Sequence, residues 1–260
     1  MFLPRIIPVL LLKGKGLVKT VRFKEPKYIG DPINAVRIFN DLKADELVFL
    51  DITASKEDRT ISVALVKDIG DEAYMPFGVG GGISNIKQVE QILKAGAEKV
   101  IINTNAVLKM DFIEEAAKIF GGQSIVAALD IKKSLLGKYE CWIKDGSQNT
   151  KVHPLEIAKK VEGSGVGELI VNSIDLDGTM SGYDIKLTRS IADIVSIPVV
   201  ACGGAGNLEH LKEGYFEGKA HALAAGSMFV YHGPRRAVLI NYPSKNELKQ
   251  LFNKEITINE

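Results

Sequence analysis

The chain has 260 residues, 46% hydrophobic and 25% charged, which suits one large α/β barrel or two small domains. Its net charge of +1 supplies no global field toward nucleic acid, so no nucleic-acid partner is expected. Cys141 and Cys202 lie far apart and form no CxxC, metal-ligand spacing or disulfide framework, so buried thiols in a reducing cytoplasm are expected, with no metal and no cofactor.

The first twelve residues have the outline of a signal peptide, with Arg5 ahead of seven uncharged residues that include Pro8. Lys13 then interrupts, no small-residue cleavage site follows, and no apolar run approaches the length of a membrane span. The segment reads as a buried strand of a cytoplasmic protein. Short runs rich in Val, Ile and Leu recur at 6–12, 47–51, 77–80, 99–102, 125–130, 168–172, 199–202 and 222–225. Strands covered on both faces read as such continuous runs. Amphipathic stretches lie between them. Residues 85–95 carry Ile86, Val89, Ile92 and Leu93 on one face, and 154–161 and 184–195 behave alike. Residues 13–31 and 132–150 read as long loops. Eight strands alternating with helices predict a (β/α)8 barrel, taken as a single domain over 1–260.

An internal repeat accompanies this pattern. Glu46-Leu47 recurs as Glu168-Leu169 and Gly81-Gly82 as Gly203-Gly204, each at an offset of 122 residues (168 − 46 and 203 − 81). Two half-barrels of four βα units are therefore expected, with no solenoid period. The glycine clusters Gly80-Gly81-Gly82 and Gly203-Gly204-Ala205-Gly206 sit just past strands in matching halves. Glycine lets backbone N–H groups approach an anion, and phosphate sites of such barrels form after the seventh and eighth strands. Asn103-Thr104 and Ala225-Gly226-Ser227 follow strands and fit the same task. The competing explanation is a tight left-handed turn that needs glycine for geometry alone. Asp51, Asp130, Ser173, Asp175 and Asp177 stand at strand ends, where polar side chains of a barrel reach the active-site mouth. For each singly, capping of a loop is an equal reading.

Residues 46–55 (ELVFLDITAS), 79–83 (VGGGI), 102–104 (INT), 173–184 (SIDLDGTMSGYD) and 203–206 (GGAG) together resemble HisF, the cyclase subunit of imidazole glycerol phosphate synthase, over about residues 5–230. The resemblance implies a (β/α)8 barrel that binds a substrate with a phosphate at each end. It also implies a HisH-like glutaminase docked on the bottom face, whose ammonia travels through the barrel to the top.

Position by position, the resemblance places an ammonia gate at Arg5, Glu46, Lys99 and Glu168, where residues at strand starts would otherwise read as surface salt bridges. It places a partner contact at Glu98, in place of a family Asp. Phosphate positions fall at Gly82, Asn103, Thr104, Asp177, Gly178, Gly204 and Ala225. Gly226 departs from the family's Ser, with Ser227 next. Lys19 matches a mobile-loop lysine.

Departures concentrate at the top. The family's acid–base pair is one Asp at the end of each of two strands; here the first is Leu11 and only Asp130 remains. Val9 replaces a frequent Cys, and Lys13-Gly14-Lys15-Gly16 stands in a loop that usually carries Asp-Gly. A hydrocarbon cannot give and take protons. The expectation is therefore a paralogue of the kind found in surface-polysaccharide clusters, working with a HisH-like glutaminase and an N-acetyl sugar amidotransferase. The alternative is a true cyclase whose acid is supplied by Asp51, Asp175 or a water. A phosphosugar barrel without an ammonia role is disfavoured by the intact gate residues.

Overall fold

The computed structural model describes residues 3–253, so the ends of the span 1–260 lie outside the described residues. Eight strands form the barrel: β1 (Arg5–Lys13), β2 (Leu47–Asp51), β3 (Phe77–Gly80), β4 (Lys99–Ile102), β5 (Ile125–Lys133), β6 (Glu168–Ser173), β7 (Val199–Cys202) and β8 (Ala222–Ala225). Each pairs in parallel with the next, and β8 closes on β1 through registers such as Arg5 with Ala222 and Ile7 with Ala224. The longer helices are α1 (Pro32–Asp41), α2 (Val63–Glu72), α3 (Ile86–Lys94), α4 (Met110–Phe120), α5 (Pro154–Gly163), α6 (Ile185–Ala192), α7 (Leu208–Phe216) and α8 (Lys245–Phe252), with short helices at Thr104–Leu108 and Ser227–Val230. Asn85 and Asp184 prove to be caps, accepting from the Gln88 and Leu187 N–H groups, as short polar side chains do at helix starts.

Alternation along the strands divides the apolar residues between two layers. Ile7, Val9, Val48, Ile101, Val126, Ile170 and Val200 pack inside the barrel. Ile6, Leu10, Leu12, Leu47, Phe49 and Leu169 face the helices. Strands apolar on both faces are the consequence.

The two expected long loops are hairpins instead. β1 runs on to pair antiparallel with Gly16–Val21, which pairs with Lys24–Gly30. β5 runs on to pair antiparallel with Tyr139–Ile143, which pairs with Gln148–Asn149. Their tips hold bulky residues in the left-handed region: Arg22 at φ 52° and Phe23 at 61°, Lys144 at 52° and Asp145 at 53°. That conformation is uncommon for residues with side chains and concentrates at functional sites. No helix among the described residues is long and apolar enough to cross a membrane.

Candidate functional site

The C-terminal ends of the strands surround a cavity of about 1120 Å³, measured out to its open rim. Leu11, Lys19, Asp51, Gly82, Asn103, Thr104, Asp130, Asp177, Gly178, Gly204, Gly226 and Ser227 all line it. Ser173, Asp175 and Ala225 do not. Counting by two from the inward Glu168 along β6 brings Ile170 and then Asn172 to the inside, which turns Ser173 outward. Asn172 therefore takes the place expected for Ser173. The Asp175 carboxylate instead accepts from the Lys133 N–H at 2.8 Å, and Ala225 packs toward the helices.

Asp130 accepts from Asn172 Nδ2 at 2.9 Å. Burial, reinforced by the negative charges of Asp145 and Asp177, pushes its carboxyl up to about 7 although the Asn172 bond opposes the shift. Asn172 Oδ1 is buried without a hydrogen-bond partner, an acceptor left over beside the carboxyl. Across the mouth Leu11 packs with Leu50 and Cys202 against the inner core and offers no proton. Asp51 is engaged elsewhere. One oxygen accepts from Thr53 and Ala54 N–H groups, and Arg59 grips both oxygens, with 2.5 Å from Nη1 to Oδ2. It caps its own loop and anchors a salt bridge.

The glycine turns line the cavity. Gly81 O accepts from Ile61 N and Gly204 O from Gly182 N. A trans peptide holds its C=O and the following N–H on opposite sides, so the N–H groups of Gly82 and Ala205 point away from those partners. Gly82 at φ 64° and Gly204 at φ 118° need glycine in any case, because an added Cβ would lie 1.7 Å from Arg59 O and 2.0 Å from Gly182 O. The geometric reading of these two glycines therefore holds.

The hairpins close over this floor. The Arg22 N–H donates to Asp177 O at 2.9 Å, and the Lys144 N–H to Thr104 Oγ1 at 3.1 Å. The tips meet where Phe23 lies 2.8 Å from the position a Cβ on Gly146 would take. Asp145, held by Lys56 at 2.7 Å, and Phe23 thus join the cavity wall. Neither was singled out from sequence, because each comes from a tip whose position depends on strand pairing.

At the opposite end Arg5, Glu46, Lys99 and Glu168 form a closed ring. Arg5 bridges Glu46 and Glu168, and Lys99 bridges the same two at 2.8 and 2.9 Å. Beside it lies a small cleft of about 240 Å³, measured out to its open rim and lined by Glu46, Lys99 and Glu168 of the ring and by Ile7, Val48, Ile101, Val126, Ile170 and Val200. Glu98 is exposed at this end, one oxygen accepting from the Phe77 N–H at 2.8 Å. No cluster of His, Cys, Asp and Glu suited to a metal occurs among the described residues.

A closed (β/α)8 barrel with paired glycine turns at its top and a charged ring at its bottom defines the class. Residues 5–234 match the family described as histidine biosynthesis protein, and the chain belongs to the HisF branch of that family. It is 47% identical to a protein provisionally named imidazole glycerol phosphate synthase subunit hisF2 from Pseudomonas aeruginosa, covering 94% of this chain and 97% of that one. It is 46% identical to a provisionally named subunit HisF from Leptospira borgpetersenii, over 97% of this chain and 100% of that one. It is 42% identical to the imidazole glycerol phosphate synthase subunit HisF of Alkaliphilus metalliredigens, over 89% and 92%.

Proposed function

We propose that this chain is the ammonia-conducting subunit of a glutamine amidotransferase, and that it hands ammonia to a second enzyme instead of closing an imidazole ring itself. A HisH-like glutaminase docks at the bottom with Glu98 near the contact, in the reducing interior of the cell. Ammonia enters at Arg5, Glu46, Lys99 and Glu168 and crosses the apolar interior. That stretch suits the neutral molecule, since an unpaired ammonium ion there would be costly. The consumer at the top is an N-acetyl sugar amidotransferase of surface-polysaccharide synthesis. A phosphorylated small molecule is gripped between Gly82, Asn103 and Thr104 on one side and Asp177, Gly178, Gly204, Gly226 and Ser227 on the other.

Leu11 carries this reading. It stands in the cavity wall where the family's first acid would be, leaving Asp130 without its partner. The substitutes expected from sequence are engaged elsewhere, Asp51 by Arg59 and Asp175 by the Lys133 N–H. A cyclase with a replaced acid is the competing reading, and turnover of the unaltered chain with free ammonia separates the two.

The gate makes its own prediction. Lys99→Met leaves Glu46 and Glu168, both buried, with Arg5 as their remaining partner in the ring. Breaking a buried ion pair on one side costs on the order of 3 kcal/mol. The variant is expected to lose stability of that order and, when bound to its glutaminase, to uncouple glutamine hydrolysis from ammonia delivery. Chemical denaturation and the ratio of glutamate formed to ammonia released into solution measure both. Unchanged coupling in a folded variant removes Lys99 from the ammonia path.

A further inference from the structure

Lys19 comes from the first hairpin, yet it is only 6% exposed. Its Nζ donates to Val9 O at 2.8 Å, on the inner wall of the barrel below Leu11. The ammonium rests over Gly226: a Cβ built there would stand 1.8 Å from Nζ and 2.8 Å from Cε. Gly81, Gly82, Gly178, Gly203 and Gly204 of the mouth all take positive φ, the region that favours glycine. Gly226 does not, at φ −108° and ψ −70°. Asn103, which also follows a strand and precedes a short helix, has nearly the same angles, φ −106° and ψ −76°, and carries a side chain. The backbone angles at 226 therefore do not demand glycine, and the main obstacle to a side chain is the end of Lys19, with Val9 O next at 3.2 Å.

We propose that Gly226 is a positioning residue: lacking a side chain, it leaves a socket in the floor of the mouth that seats Lys19 and fixes its charge where an oxyanion is gripped. This deepens the phosphate reading above and rests on it. The charged and titratable groups facing the socket are Asp177, from the loop after β6, and Cys202, from the end of β7. Asp177 is itself tied to the hairpin, accepting from Thr20 Oγ1 at 3.3 Å. Burial outweighs the attraction of Asp177 and lowers the Lys19 ammonium to about 8 from its ordinary 10.5. The seated charge is thus present at neutral pH and lost above about 8.

Titration of the lysine Cε resonances in selectively labelled protein tests the seat, with the Lys19 signal assigned by its absence from Lys19→Gln. In the native chain that signal is expected to move near pH 8. In Gly226→Ala and Gly226→Ser alike it should return toward 10.5, because the Cβ and not a hydroxyl displaces the ammonium. Calorimetry with inorganic phosphate at pH 7 should show about tenfold weaker binding in either variant, the scale of one lost charged hydrogen bond. In a Lys19→Gln background Gly226→Ala should have no further effect, since residues acting as a unit are not additive. A Lys19 titration unchanged in folded Gly226→Ala, or independent effects of the two substitutions, overturns the proposal. If the Lys19 titration behaves as expected but the native chain binds no phosphate, the phosphate reading falls and the seat of Lys19 stands.

Discussion

Supplied with ammonium and the phosphorylated ribulosyl substrate of the family, the native chain is expected to turn over about 10²–10⁴ times more slowly than a cyclase with both carboxylates, the usual contribution of one acid or base. Leu11 sits on the wall of the mouth beside Leu50, and nothing at that position can exchange a proton. Leu11→Asp should recover part of the missing rate. Recovery stays partial because Val9 lines the same wall and the Lys13–Gly16 turn departs from the family's sequence, and a misplacement of about 1 Å costs roughly 10²-fold. Steady-state turnover with thermal denaturation as a control for folding decides the matter. A native rate equal to that of an ordinary cyclase sinks the conduit proposal and identifies another group in the mouth as the acid.

The barrel was legible because each strand is apolar on both faces, and the strand bounds follow the expected runs to within a residue, except β5, which runs three residues further. The first hairpin was not. Its second strand, Lys24–Gly30, buries no side chain fully and includes Pro26, so it carries no hydrophobic period to read. It exists because its backbone pairs with Gly16–Val21. The exchange of Ser173 for Asn172 is of another kind. The signal was present, since the period of two that puts Glu168 in the charged ring also puts Asn172 in the mouth. Gly226 could be marked in sequence only as a departure. Its physical meaning lies in a contact with Lys19, more than two hundred residues away, that no local pattern contains.

Asp130→Asn is expected to make the protein more stable in neutral and alkaline solution, by up to about 4 kcal/mol, and to flatten its dependence on pH. The carboxyl is raised from 3.8 to about 7 in the folded chain, so the native state holds the proton more tightly than the unfolded state. Stability is full below pH about 4, falls as pH rises through 7, and carries the whole cost of the buried charge above that. The size follows from about three pKa units at 1.36 kcal/mol each. Asparagine keeps an oxygen to accept the Asn172 Nδ2 proton now held by Asp130, so the cavity wall need not rearrange, and it removes the repulsion from Asp145 and Asp177. Urea denaturation of both proteins between pH 4 and 9 measures the effect. The two curves should coincide near pH 4 and diverge steadily to about pH 8. A constant difference across the range would mean that Asp130 is ionised throughout, well below the raised value, and so is not poised to handle protons near neutral pH. Divergence of the expected sign would mean instead that the barrel bears a standing cost at this position. Such a cost is what a retained proton-handling group imposes, and a residue kept only for packing would gain nothing from it.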